Sequence, residues 1–169
     1  MKNQIEVTDR EKEAFKDSFS TAEKLVMRIS FFIFILFGIV GVFVENWIVG
    51  VIYLVFVIFS LEVLLLRMFC SYCPYPYQYS TCLFMPLRNF KGIDQKQEKM
   101  PFINRHAPAI AFAGMYLIPQ YWIVRNLFFF IGFWVFGLIV GLGLIIHFCG
   151  SCRHVQCAMN RAAKKPYVA

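Results

Sequence analysis

Apolar positions in this chain run together in long blocks. They follow neither the 3.6-residue stripe of a surface helix nor the alternation of a half-buried strand. Between Ser30 and Met68 only Glu45, Glu62 and Arg67 are charged, and between Ala107 and Cys149 only Arg125 is. Apolar runs of about 20 residues can cross a hydrocarbon core of roughly 30 Å as helices. They cannot cross it as open strands, because backbone groups in lipid must be paired internally. The pattern predicts an all-α integral membrane protein, a four-helix bundle made of two helical hairpins. The spans are about Leu25–Val44, Trp47–Met68, Ala107–Val124 and Leu127–Phe148. Glu45-Asn46 and Arg125-Asn126 form the two tight turns.

The chain divides accordingly. Residues 1–24 are a polar N-terminal segment, 25–68 the first hairpin, 69–106 a loop, 107–148 the second hairpin and 149–169 a tail. Thr8 to Glu11 and Ser20 to Glu23 both fit capping boxes. A short amphipathic helix is expected at about 9–18, with Phe15 and Phe19 one turn apart. The first 24 residues lack the basic head and apolar middle of a signal peptide, so the first span is expected to stay as an anchor. Gly137 and Gly141 form a GxxxG pair that permits close helix contact.

Composition agrees with this picture. Charged residues make up 16% of the 169, against about 25% in soluble domains. Lys and Arg concentrate in the N-terminal segment, the central loop and the tail, and the hairpin tips together hold only Arg125. The positive-inside rule then places both termini and the central loop in the cytoplasm of a multi-pass cell-membrane protein. The basic segments suit anionic lipid, and no nucleic-acid partner is expected.

The two hairpins resemble each other at an offset of about 80 residues. Val44-Glu45-Asn46 aligns with Val124-Arg125-Asn126, Tyr53 with Phe133 and Arg67 with His147; Phe69-Cys70 then aligns with Phe148-Cys149 after a one-residue gap. A parallel repeat of this kind implies a pseudo-twofold axis along the membrane normal.

All six cysteines lie where a span ends on the basic side. Cys70, Cys73 and Cys82 form CxxC-x8-C; Cys149, Cys152 and Cys157 form CxxC-x4-C. Clustered thiolates bind soft or borderline metals or cycle between dithiol and disulfide. Iron–sulfur ligation is the favoured expectation, giving a membrane-bound redox protein. It would pass electrons between a soluble donor and quinone or another membrane subunit, alone or as an oligomer. Zinc or copper handling is the alternative. His154 lies inside the second cluster, His106 could complete the first, and Met68, Met85 and Met159 flank them. A quinone-linked thiol–disulfide oxidoreductase and a structural subunit of a larger complex are further readings. The reducing cytoplasm disfavours stable disulfides. The four-cysteine ferredoxin run CxxCxxCxxxCP is absent.

Three other residues stand out. Glu62 is the carboxylate inside a span, about 12 Å before Cys70 on a helix, and is a candidate proton relay. Arg67, five residues on, is poorly spaced on an α-helix to pair with it. Arg67 and His147 are candidates to bind sulfur or an anionic cofactor; snorkelling to headgroups competes for Arg67. Pro74 and Pro76 are expected to hold the loop extended, with Tyr72, Tyr75, Tyr77 and Tyr79 at the headgroup level.

Overall fold

A computed structural model describes residues 19–78, 82, 92–96 and 100–149. The segment expected as a helix at 9–18 lies outside them. Among the described residues all regular structure is helical. Helix α1 spans Thr21–Glu45. Helix α2, Trp47–Phe59, continues without a break into a π-helical segment, π1, at Ser60–Phe69. A short α3 follows at Pro74–Gln78. Helix α4 is Phe102–Ile123, and α5, Leu127–Leu142, runs on into a second π-helical segment, π2, at Gly143–Phe148.

Three of these runs are long and apolar enough to cross a membrane: Thr21–Glu45, Trp47–Tyr72 and Leu127–Ile146. Their outward faces carry large apolar side chains such as Phe32, Ile52, Leu138 and Ile146, which suit a lipid bilayer rather than water. Helix α4 has the length, 22 residues, but Asn104, Arg105, His106 and Gln120 dilute its apolarity. It starts at Phe102, before the expected Ala107, because a polar turn can extend a helix beyond its apolar part.

The helix ends are set by side chains the sequence exposes. Ser20 Oγ accepts from the Glu23 N–H at 3.1 Å, while Glu23 accepts from the Ser20 N–H at 2.7 Å. The expected capping box is thus complete at α1. Asn46 serves two helices at once. Its N–H donates to Val42 O at 2.8 Å, closing α1. Its Oδ1 accepts from Ile48 and Val49 N–H groups at 3.1 and 3.2 Å, opening α2. Asn126 opens α5 in the same way, accepting from the Phe128 N–H at 3.2 Å.

Helix α1 packs against α2, α4 and α5, and α4 packs along π1. The core is aromatic. Phe34 is fully buried, its ring centroid 4.6 Å from Phe133 and 4.7 Å from Tyr116, so one ring joins α1, α4 and α5. The GxxxG glycines form a seat for Tyr116. A Cβ on Gly137 would lie 2.9 Å from the Tyr116 ring, and one on Gly141 would lie 3.3 Å from its hydroxyl. The Tyr116 hydroxyl donates to Gly137 O. These small residues therefore receive a side chain from within the chain.

Helix α4 contains Pro119, whose nitrogen has no hydrogen to give Met115 O. The buried Tyr53 hydroxyl donates to that carbonyl instead, at 2.9 Å. Gln120 is likewise used internally: its Nε2 donates to Tyr116 O at 3.0 Å and its Oε1 accepts from Trp134 Nε1 at 3.2 Å.

Both hairpin tips lie at one end of the molecule. A Cβ on Gly41, near the end of α1, would meet Ile123 and Phe129 on either side of the α4–α5 turn. At the opposite end Phe19 contacts both Tyr75 and Phe148, with centroids 5.5 and 5.1 Å away.

Candidate cysteine site

The first CxxC begins where π1 ends. Cys70 caps π1 with φ −67° and ψ −22°, and its N–H donates to Leu65 O, five residues back. The chain then tightens into a 3₁₀ turn, Cys70–Tyr72, and the Cys73 N–H donates to Cys70 O at 3.0 Å. That bond puts both cysteines on one turn. Buried Ser71 secures it, with Oγ donating to Arg67 O at 2.7 Å. The backbone of Ser71 is used too: the Lys96 N–H donates to its carbonyl at 2.9 Å. The Lys96 ammonium sits 5.5 Å from the centroid of the Tyr72 ring. The segment 92–96 is thereby held against the CxxC turn.

Cys149 leaves π2 in the same manner. It caps the segment with φ −69° and ψ −22°, and its N–H donates to Leu144 O at 2.8 Å, again five residues back. The two first cysteines therefore emerge from the same local geometry. They also emerge at the same end of the molecule. Phe19 packs on Tyr75, two residues past Cys73, and on Phe148, next to Cys149. Cys73 packs against the same buried cluster.

Cys82 is drawn toward Cys70 from eight residues beyond Cys73. Cys70 lies within electrostatic range of both Cys82 and Cys73. The backbone of Cys82 is fixed from α1: the Arg28 guanidinium donates to its carbonyl at 2.7 Å. Arg28 lies near the start of α1. Its role depends on a contact 54 residues away in the chain, and local patterns carry no such information. Tyr77 sits beside this group. Burial raises its phenol above the ordinary 10.0, and the neighbouring Cys70, Cys73 and Asp94 add to the rise.

The prolines behave differently from the expectation of an extended loop. Pro74 and Pro76 lie in the first turn of α3. There the amide hydrogens of a helix have no intrahelical acceptor, so proline loses nothing. Tyr75 is buried rather than set at a headgroup level. It lies under Phe19.

The remaining candidates fall as follows. Cys152, Cys157 and His154 lie outside the described residues, as do Met85, Met159 and Tyr79, and so does the side chain of His147. His106 Nδ1 is 2.9 Å from Phe102 O, and its ring stacks on Phe102 of its own helix. Arg67 and Glu62 are both exposed on π1. The cations that touch the cysteine segments are Arg28, at Cys82 O, and Lys96, at Tyr72. Cys70, Cys73, Cys82 and Cys149 are half-buried residues outside any disulfide. Among the described residues no three His, Cys, Asp or Glu side chains converge as a metal-holding group. The chemistry of the donors is soft and suited to thiophilic metals; their closest association is the Cys70, Cys73 and Cys82 neighbourhood.

No family model, no curated protein and no solved structure matches this chain.

Proposed function

We propose that this chain is a membrane-bound metal-thiolate redox protein with iron–sulfur as the favoured centre. In this reading the two hairpins are related repeats that form a four-helix membrane bundle. Both termini and both cysteine clusters face the cytoplasm, as the basic residues suggest. Cys70, Cys73, Cys82, Cys149, Cys152 and Cys157 are the ligands. Electrons pass between a soluble donor and quinone or a membrane partner. When bound, the cluster supplies one-electron chemistry; the chain supplies thiolates and a tightly braced loop.

The observation that carries this reading is that Cys70 lies within electrostatic range of Cys73 and Cys82, at the end of the molecule that also holds Cys149. Matching backbone angles at Cys70 and Cys149 support the repeat. So does the matched use of Asn46 and Asn126 as caps. Ligation by rigid, backbone-fixed thiolates is what a centre needs to keep its geometry through electron transfer.

The test is the metal and acid-labile sulfide content of protein purified without oxygen in mild detergent. Iron and sulfide in near-equal amounts are expected, with broad violet absorbance that Cys73→Ser removes. Zinc or copper without sulfide would replace this reading with metal handling. Absence of any metal would leave thiol chemistry or a structural role.

A further inference from the structure

The π1 segment changes which side chains of the second span share a face. In a π-helix the hydrogen bonds run from residue i to i+5, so residues five apart stand nearly one above the other. Exposure follows that spacing. Ser60 and Leu65 are buried, while Glu62 and Arg67 are exposed. The five-residue separation that disfavours this pair on an α-helix therefore sets both charges on one outward face. Yet among the described residues neither side chain forms an ion pair or a side-chain hydrogen bond.

The same face extends toward the hairpin tip. Ile52, Val55 and Phe59 are exposed, and with Glu62 they are spaced 3, 4 and 3 residues apart. That is the spacing of a helix seam made to pack on another helix. At its end the seam carries one acid and one base. A lone carboxylate on a lipid-facing surface is costly and calls for a partner. The patch is its own complement: a copy related by a twofold axis brings an Arg67 to each Glu62.

We propose that this face is a homodimer interface, in which Glu62 of each copy pairs with Arg67 of the other. The two copies lie parallel, with the twofold axis along the membrane normal. Five residues correspond to at most about 7.5 Å along a helix, which a glutamate and an arginine reaching toward each other can span. Ile52, Val55 and Phe59 pack across the axis. This inference does not depend on what the cysteines bind.

The experiment is self-association of the full chain in lipid vesicles, followed by energy transfer between donor- and acceptor-labelled copies as they are diluted in lipid. Wild type is expected to associate. Glu62→Arg and Arg67→Glu alone should each weaken association by about tenfold or more, the scale of a polar helix contact in a membrane. The double swap, E62R with R67E, should restore it. Glu62→Gln and Arg67→Gln, which leave the helix least disturbed, should also weaken it, so the test stands even if a reversed charge fails to insert. A wild-type monomer at all dilutions overturns the proposal, including one that co-purifies with a different chain. So do single variants that associate normally, or a double swap as weak as the singles.

Discussion

The two hairpins use the same devices and differ where their neighbours differ. Tyr53 and Phe133 stand in the same place, seven residues past Asn46 and Asn126, and both are buried. Tyr53 faces α4, where Pro119 leaves Met115 O without its helical donor, and its hydroxyl fills that vacancy. Phe133 stacks on Phe34 of α1, a helix without proline, and carries no hydroxyl. In this pair the hydroxyl stands where a backbone carbonyl has lost its helical donor. The lower ends differ as well. The first π segment is ten residues long and bears Glu62 and Arg67; the second is six long and bears neither acid nor arginine.

Exchange of the two aromatic residues breaks this comparison most severely. Phe133→Tyr puts a hydroxyl among apolar rings and is expected to cost about 1–3 kcal/mol. Tyr53→Phe orphans Met115 O and should cost about 1 kcal/mol, the scale of a hydrogen bond within a membrane protein. Reversible unfolding in mixed micelles, followed by circular dichroism, would measure both. Equal, negligible effects would show that the hydroxyl is placed without regard to Pro119.

A smaller effect separates the cysteine ends. Arg28→Met removes the donor to Cys82 O while keeping much of the side chain's bulk. Alkylation of Cys82 is expected to speed up several-fold, with Cys149 unchanged, as peptide mass spectrometry would report. Equal acceleration at both cysteines would mean that Arg28 braces the whole end rather than one loop.

The smallest effect concerns alkaline pH. Tyr77 ionises at higher pH folded than unfolded. Above the ordinary phenol value of 10.0 the unfolded chain releases this proton first, so stability falls as pH rises through that range. Below it the contribution is fully present. Tyr77→Phe should flatten the decline above pH 10.0. If the slope is unchanged, another group governs it.

Much of this architecture was legible from local pattern. Apolar runs located the long helices, Ser20 and Glu23 announced a cap, and Asn46 and Asn126 marked the turns. Each of these signals lies within a few residues of what it determines. What was not legible depended on contacts far along the chain or on backbone register. Nothing in Ser60–Phe69 distinguishes an i+5 ladder from an i+4 one, so the shared outward face of Glu62 and Arg67 could not be read beforehand. Arg28 reaches a loop that is remote in sequence. Pro74 and Pro76 were read as helix breakers, although they stand where a helix starts. For the site, the spacing marked Cys70, Cys73 and Cys82 as candidates, while the hydrogen bonds of Ser71, Lys96 and Arg28 around them were not legible.

The double duty of Asn46 has an effect on how the molecule can meet its surroundings. One residue closes α1 and opens α2, and the α4–α5 turn is scarcely longer. Neither turn has slack to form a pocket or to reach toward another molecule. At that surface the protein offers only blunt helix ends. The opposite end holds the contacts of Phe19 with Tyr75 and Phe148, beside Cys73 and Cys149.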